Sequence, residues 1–142
     1  MTNEHLTREQ FVYFVRAARH GVVATVDRDG NPEAALVEVG VLGDGDLLFQ
    51  TKAAARKVSN LFHRNRVAFV IGWVPVSLQI EGDAELLMGV ELDAMATLFA
   101  EQFPERPAMS EEFNLYRVRP DWLRYCEAQP GRPPVMSEGL WG

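Results

Sequence analysis

The sequence predicts a mainly β domain with flanking helices, its strands forming a six-stranded antiparallel barrel. Three observations carry that prediction. Six runs rich in β-branched and aromatic residues recur along the chain, several of them bounded by Gly, Pro, Asn or Asp. The first three are joined by the tight-turn sequences "DRDGN" and "GDGD", whose Gly, Asn and Asp residues tolerate positive φ. Segments of helical period lie before and between the strands, which suits a small barrel with helices packed against it.

Thr7-Arg8-Glu9-Gln10 has capping-box spacing, with Thr7 as N-cap. Phe11, Phe14, Val15 and Ala18 follow on one helical face, and Gly21 is expected to close that helix. "VVATVD", "EAALVEVGVL" and "DLLFQT" are then three strands of a meander. From about Ala53 to His63 the period is helical, with Ala54, Val58, Leu61 and Phe62 on one face. Lys52, Arg56, Ser59, Asn60 and His63 share the other. "RVAFVIGW" and "VSLQIEGDAELL" read as two strands broken at Val74-Pro75, and "VELDAMATLFAEQF" as a second amphipathic helix ended by Pro104. "EEFNLYRVRPDWLRYCEA" is a last strand interrupted near Pro120. The tail "QPGRPPVMSEGLWG" is expected to be irregular, docking through Trp141 if it docks.

With 142 residues, no internal repeat and no linker, residues 1–142 are read as a single domain. No apolar run is long enough to span a bilayer and "MTNEHLTREQ" has no secretory pattern, so the expectation is a soluble, cytoplasmic protein with no membrane partner. The lone Cys126 excludes an internal disulfide. A formal net charge of −6 argues against nucleic acid as a partner.

Charge is unevenly placed. From Lys52 to Arg66 there are five cations and no acid, against nine basic and 20 acidic residues elsewhere. Lys52, Arg56 and Lys57 crowd the start of a helix, where the peptide dipoles already place about half a positive charge. Lys52 and Arg56 are also four apart, a like-charge spacing that destabilises a helix. Two readings remain open from the residues alone. The cations form a solvated helix face, or they neutralise a phosphate held by the free N–H groups of the helix start, with the Thr51 hydroxyl assisting. Neither a Walker nor a Rossmann glycine pattern is present.

"FQT", the spacing from Thr51 to Arg56, the "RK" pair and the leucine-containing helix after it resemble the pyridoxamine 5′-phosphate oxidase-like, FMN-binding split-barrel family. "GVVATVDRDGNPEAALVEV" is similar to that family's first hairpin, "NLFHRNRVAFVI" to its helix-to-strand passage, and "VSLQIEGDAELL" to the strand after it. "YRVRPDWLRYCE" resembles the last barrel strand of its small members. The resemblance covers roughly residues 8–127. It implies a split barrel that dimerises, with a flavin between two subunits. It also implies that Thr51, Arg56 and Lys57 hold the FMN phosphate, assisted by Lys52. The backbone of Leu36, Val37 and Glu38 would lie along the flavin ring, as would Phe49 and Gln50, while Ser77 or Gln79 would reach it across the dimer. The implied function is an FMN-dependent oxidoreductase acting with a small-molecule substrate or an electron donor such as NAD(P)H. Three alternatives accompany it: a deazaflavin (F420)-dependent reductase, a haem binder using His63, and a non-catalytic flavin-binding or storage protein. The family's oxidases carry an Arg before the flavin-lining strand and a Lys at its end, where this chain has Glu33 and Glu38. Their C-terminal basic motif is not found in the tail.

No residue presents itself as an obligatory general acid or base, so the catalytic residues are left unassigned. His5, His20 and His63 lie far apart and lack metal-ligand spacing. Glu81, Asp83 and Glu85 alternate beside a turn and are expected to face solvent rather than a metal. Cys126 is expected to be a buried structural thiol, and Trp73 and Trp122 core residues.

Overall fold

The computed structural model describes residues 6–106 and 110–142; His5 lies outside them. The predicted elements form: α1 (Arg8–Ala18), β1 (His20–Val26), β2 (Pro32–Val41), β3 (Leu47–Lys52), α2 (Arg56–His63), β4 (Arg66–Gly72), β5 (Val76–Leu86), α3 (Gly89–Gln102) and β6 (Phe113–Glu127). The strands are antiparallel neighbours in the order β3-β2-β1-β4-β5-β6, and β3 pairs with β6, which closes a six-stranded barrel.

Alternation along each strand fills the interior. Val23, Val37, Val39, Phe49, Phe69, Ile71, Leu78, Ile80, Tyr116 and Leu123 are buried in one cluster. Phe49 is its centre, stacked on Tyr116 at 5.3 Å and edge-on to Phe69 at 5.7 Å. Helix α1 lays Phe11 and Val15 on this cluster. A second cluster, Leu42, Leu48, Leu87, Phe99, Phe103 and Leu115, seats α3 on the outside of the barrel.

Several local expectations change. The capping box forms as read, but α1 stops at Ala18 and its cap is Arg19, in the left-handed region at φ 64. A non-glycine residue there costs roughly 1 kcal/mol. Arg19 offsets this by donating to the Gln102 carbonyl at 3.2 Å, pairing with Glu105 and lying 4.7 Å over the Phe103 ring. Gly21 instead lies within β1, where an added Cβ would be 2.9 Å from Ile71 and 3.1 Å from the Val70 carbonyl. On α2, Phe62 is 86% exposed and Asn60 is buried, the reverse of the expected faces. Trp73 is exposed and Trp122 half-buried, so neither is a core residue, and Cys126 is only partly buried.

Strand β6 is continuous through Pro120. Its partner β5 shifts register between Glu81 and Gly82, so that Asp121 is the extra residue of a bulge; a bulge is where a strand tolerates proline. Gly82 makes the bulge possible, because a Cβ there would lie 2.4 Å from the Arg119 carbonyl oxygen. Arg66 spans the same place, donating to Asp121 at 2.7 Å and to Asp83 at 3.3 Å. That contact holds the Asp121 carboxyl below its usual range. The acids on β5 thus face solvent and an arginine, and no group of three or more metal-ligating side chains exists among the described residues.

The tail is not irregular. Val135–Leu140 forms β7, paired with the second half of β6 where β3 has departed. Beyond it Trp141 does dock, 8% exposed and 5.3 Å from Phe11, with the Arg8 guanidinium 5.5 Å over its ring.

Two stability outcomes follow. Gly82→Ala is expected to cost about 2–3 kcal/mol in urea unfolding, because the clash is with backbone rather than a movable side chain. Trp141→Ala is expected to cost about 3 kcal/mol by the same measurement, since it empties a buried aromatic site under α1.

Candidate functional site

Strand β3 ends at Lys52, and a short turn carries the chain into α2. Ala53 donates to the Glu112 carbonyl at 2.8 Å, which ties this turn to the approach of β6. The N-cap of α2 is Ala55, whose side chain cannot accept a hydrogen bond, and no acid occupies the first turn. The leading N–H groups of a helix have no intrahelical acceptor. Here they open toward a surface carrying exposed Lys52 and Arg56 and half-buried Lys57, with Thr51 buried beside them at the strand end. Of the four residues read from the sequence as phosphate ligands, Lys52 ends β3, Arg56 and Lys57 begin α2, and Thr51 is buried at the strand end. The local chemistry, free N–H groups with a cationic rim, suits an anion.

The entrance also holds side chains that the motif reading did not connect. Asn60 donates through Nδ2 to Thr25 Oγ1 at 2.9 Å and to Glu33 Oε1 at 2.8 Å. The other Glu33 oxygen accepts from Arg56 Nη1 at 2.8 Å. Thr25 and Asn60 are 1% and 5% exposed, so the chain of contacts runs from the barrel interior out to the solvent-facing Arg56. A depression of about 320 Å³ lies over Glu33, Arg56, Ser59 and Asn60, rimmed by residues 27–29 of the β1–β2 turn. In that turn Asp27 accepts from the Asn31 and Asp29 backbones, and these bonds, Asn31 first, hold its carboxyl below the usual range. The only sequence signal for this network was the polar Asn60 on a short helix.

The ring-lining candidates divide by strand parity. Val37 and Phe49 point into the core, so only their backbone can face a ligand. Leu36 points outward and is 65% exposed. Glu38 is nearly covered and pairs with Arg106, a contact between distant segments that no local pattern announces. Gln50 is half-buried opposite Leu115. Ser77 and Gln79 flank buried Leu78 on the outer side of β5. Register places Leu36, Val22, Val70, Gln79 and Arg124 in one row across five strands. The neighbouring row is Ala34, Ala24, Ala68, Glu81 and Trp122. Three alanines in that row leave a flat outer face with a shallow hollow of about 120 Å³. His63 is exposed on α2, its ring edge-on to Phe62 at 5.3 Å and remote in sequence from His20.

Residues 7–127 match the model of the pyridoxamine 5′-phosphate oxidase family. A pyridoxine/pyridoxamine 5′-phosphate oxidase of Photorhabdus laumondii is 33% identical over 72 residues, which are 49% of this chain and 33% of that enzyme. The chain thus spans about a third of that relative's length. Among solved structures, a heme binding protein from Mycobacterium smegmatis superposes with TM-score 0.76 at 22% identity, over 96% of this chain and 59% of the other. A pyridoxamine 5′-phosphate oxidase-related, FMN binding protein from Nostoc punctiforme superposes with TM-score 0.68 at 17% identity, over 93% of each chain. No helix among the described residues is long and apolar enough to cross a membrane. A closed six-stranded barrel flanked by three helices, with the family match running from α1 to the end of β6, places this chain in the pyridoxamine 5′-phosphate oxidase family.

Proposed function

We propose that this protein binds FMN at the entrance of α2 and acts as an FMN-dependent oxidoreductase, with two copies of the chain enclosing the flavin. The observation that carries the reading is the uncapped, acid-free start of α2 beside Thr51, Lys52, Arg56 and Lys57. Cations at this end of a helix are unfavourable unless an anion joins them, and a phosphate turns the penalty into attraction. The backbone of Leu36–Glu38 and of Phe49 and Gln50 would support the ring, and Ser77 or Gln79 of a second copy would approach it. When bound, the flavin supplies the electron-transfer chemistry; the chain supplies binding, orientation and exclusion of water.

The flat outer face supports the dimer. Leu36 is 65% exposed and Leu140, opposite Trp122 on β7, is 66% exposed, while alanines keep the surface between them low. Such an exposed apolar face on a small domain marks an interaction surface. Glu33 and Glu38 stand where the family's vitamin B6 oxidases carry cations, and both are committed to arginines within the chain. These pairs argue for a substrate other than pyridoxamine 5′-phosphate.

A haem reading has one point in its favour, the likeness to the mycobacterial heme binding protein. It would rest on His63, which lies on the helix that begins at the cationic entrance. The spectrum of the purified protein separates flavin, deazaflavin and haem, and NAD(P)H oxidation with an acceptor separates an enzyme from a flavin store.

Arg56→Ala combined with Lys57→Ala is expected to leave melting nearly unchanged and to weaken FMN at least about 100-fold in a fluorescence titration, since charge-assisted bonds are removed. Unchanged affinity would refute the phosphate assignment. Leu36→Asp is expected to convert a dimer to a monomer in sedimentation equilibrium, by placing a charge on the proposed buried face. A wild-type protein that sediments as a monomer with FMN present would rule out the shared site.

A further inference from the structure

Glu33 uses both carboxylate oxygens at the entrance, one toward Arg56 and one toward Asn60. Oε2 takes Arg56 Nη1 at 2.8 Å and Oε1 takes Asn60 Nδ2 at 2.8 Å, with Asn60 in turn anchored on Thr25 at 2.9 Å. Because Thr25 and Asn60 are buried, this carboxylate is anchored from the barrel side. Arg56, by contrast, is 86% exposed and has further N–H donors to offer. A phosphate on Arg56 therefore shares one guanidinium with a fixed negative charge.

We propose that Glu33 sets the charge preference of the phosphate subsite, orienting Arg56 while penalising a doubly charged phosphate more than a singly charged one. The inference rests on the reading of α2 as the phosphate site. Its physical basis is that repulsion between Glu33 and the bound anion scales with the anion's charge, whereas the orienting contact does not. The other charges around the entrance are Lys52 on β3, Lys57 on α2, and Asp27, Arg28 and Asp29 on the β1–β2 turn; none of these bridges Arg56 to the barrel interior. Glu33 is thus a positioning and specificity residue rather than a catalytic one.

Glu33→Gln removes the charge and keeps one acceptor oxygen, which can serve Asn60 or Arg56, while the amide nitrogen, a donor, cannot replace the second carboxylate oxygen. FMN and riboflavin, which lacks the phosphate, are titrated by fluorescence at pH 7.5 and pH 5.5. A phosphomonoester has its second pKa near about 6, so FMN is mostly dianionic at the first pH and mostly monoanionic at the second. The expected result is that the variant binds FMN about tenfold tighter at pH 7.5 and no more than about threefold tighter at pH 5.5, with riboflavin unchanged. Equal or weaker FMN binding at pH 7.5, or an equal change for riboflavin, overturns the role given to Glu33. Should Glu33→Gln melt well below the wild type, Glu33→Thr, a good strand former, is read by the same criteria. If the wild type binds FMN no better than riboflavin, the phosphate reading itself fails at that step, and the role of Glu33 falls with it.

Discussion

Strand β6 is the constraint on which the rest of this molecule depends. Its first half pairs with β3 and β5 together and so closes the barrel; its second half keeps β5 but exchanges β3 for β7. One strand can serve three partners only if it bends where the exchange occurs. The bulge at Asp121, admitted by Gly82 and beginning at Pro120, lies at that place. Arg117 secures the closure from the side, donating to buried Asp46 at 2.8 Å and to Asp44 at 3.1 Å. The two acids of the β2–β3 turn thus serve as an anchor for β6 as well as turn formers. Closure then delivers β3 to the entrance of α2, since the chain leaves the barrel immediately after its last pairing with Phe113.

That departure concentrates charge where a helix least accommodates it. Strand β3 ends at Lys52, α2 packs Leu61 against the core, and the N-cap residue between them is Ala55, whose side chain cannot cap. The result is a helix start with no side-chain cap and a cationic rim, partly balanced by one carboxylate reaching across from β2. Glu33 engages Arg56 at 2.8 Å and so offsets part of the charge at this entrance.

Much of this was visible along the chain. Alternation in "RVAFVIG" and "SLQIEG" specified the interior faces, turn residues specified the hairpins, and the absence of acids after Thr51 drew attention to α2. Period two and positive φ are local signals, read within one element or turn, whereas the like charges four apart, Lys52 and Arg56, fall on β3 and α2 and so do not share a helix. Phe62 shows the limit. Its helical spacing matched Val58 and Leu61, but an eight-residue helix offers only a narrow stripe to the barrel, and Phe62 lies outside it. The tail shows another, since "VMSEGL" becomes a strand only because β3 leaves the second half of β6 unpaired.

The sequence by itself determined the six barrel strands, the three helices and the charge at the start of α2, because each follows from the chemistry of near neighbours. Only the tertiary structure decided which carboxylate meets Arg56, that Asn60 is an interior anchor, that Arg106 covers Glu38, and that Leu36, Val22, Val70 and Gln79 form one row. Those outcomes depend on register and barrel closure, which bring together residues far apart in the chain, and no periodicity within a single element encodes them.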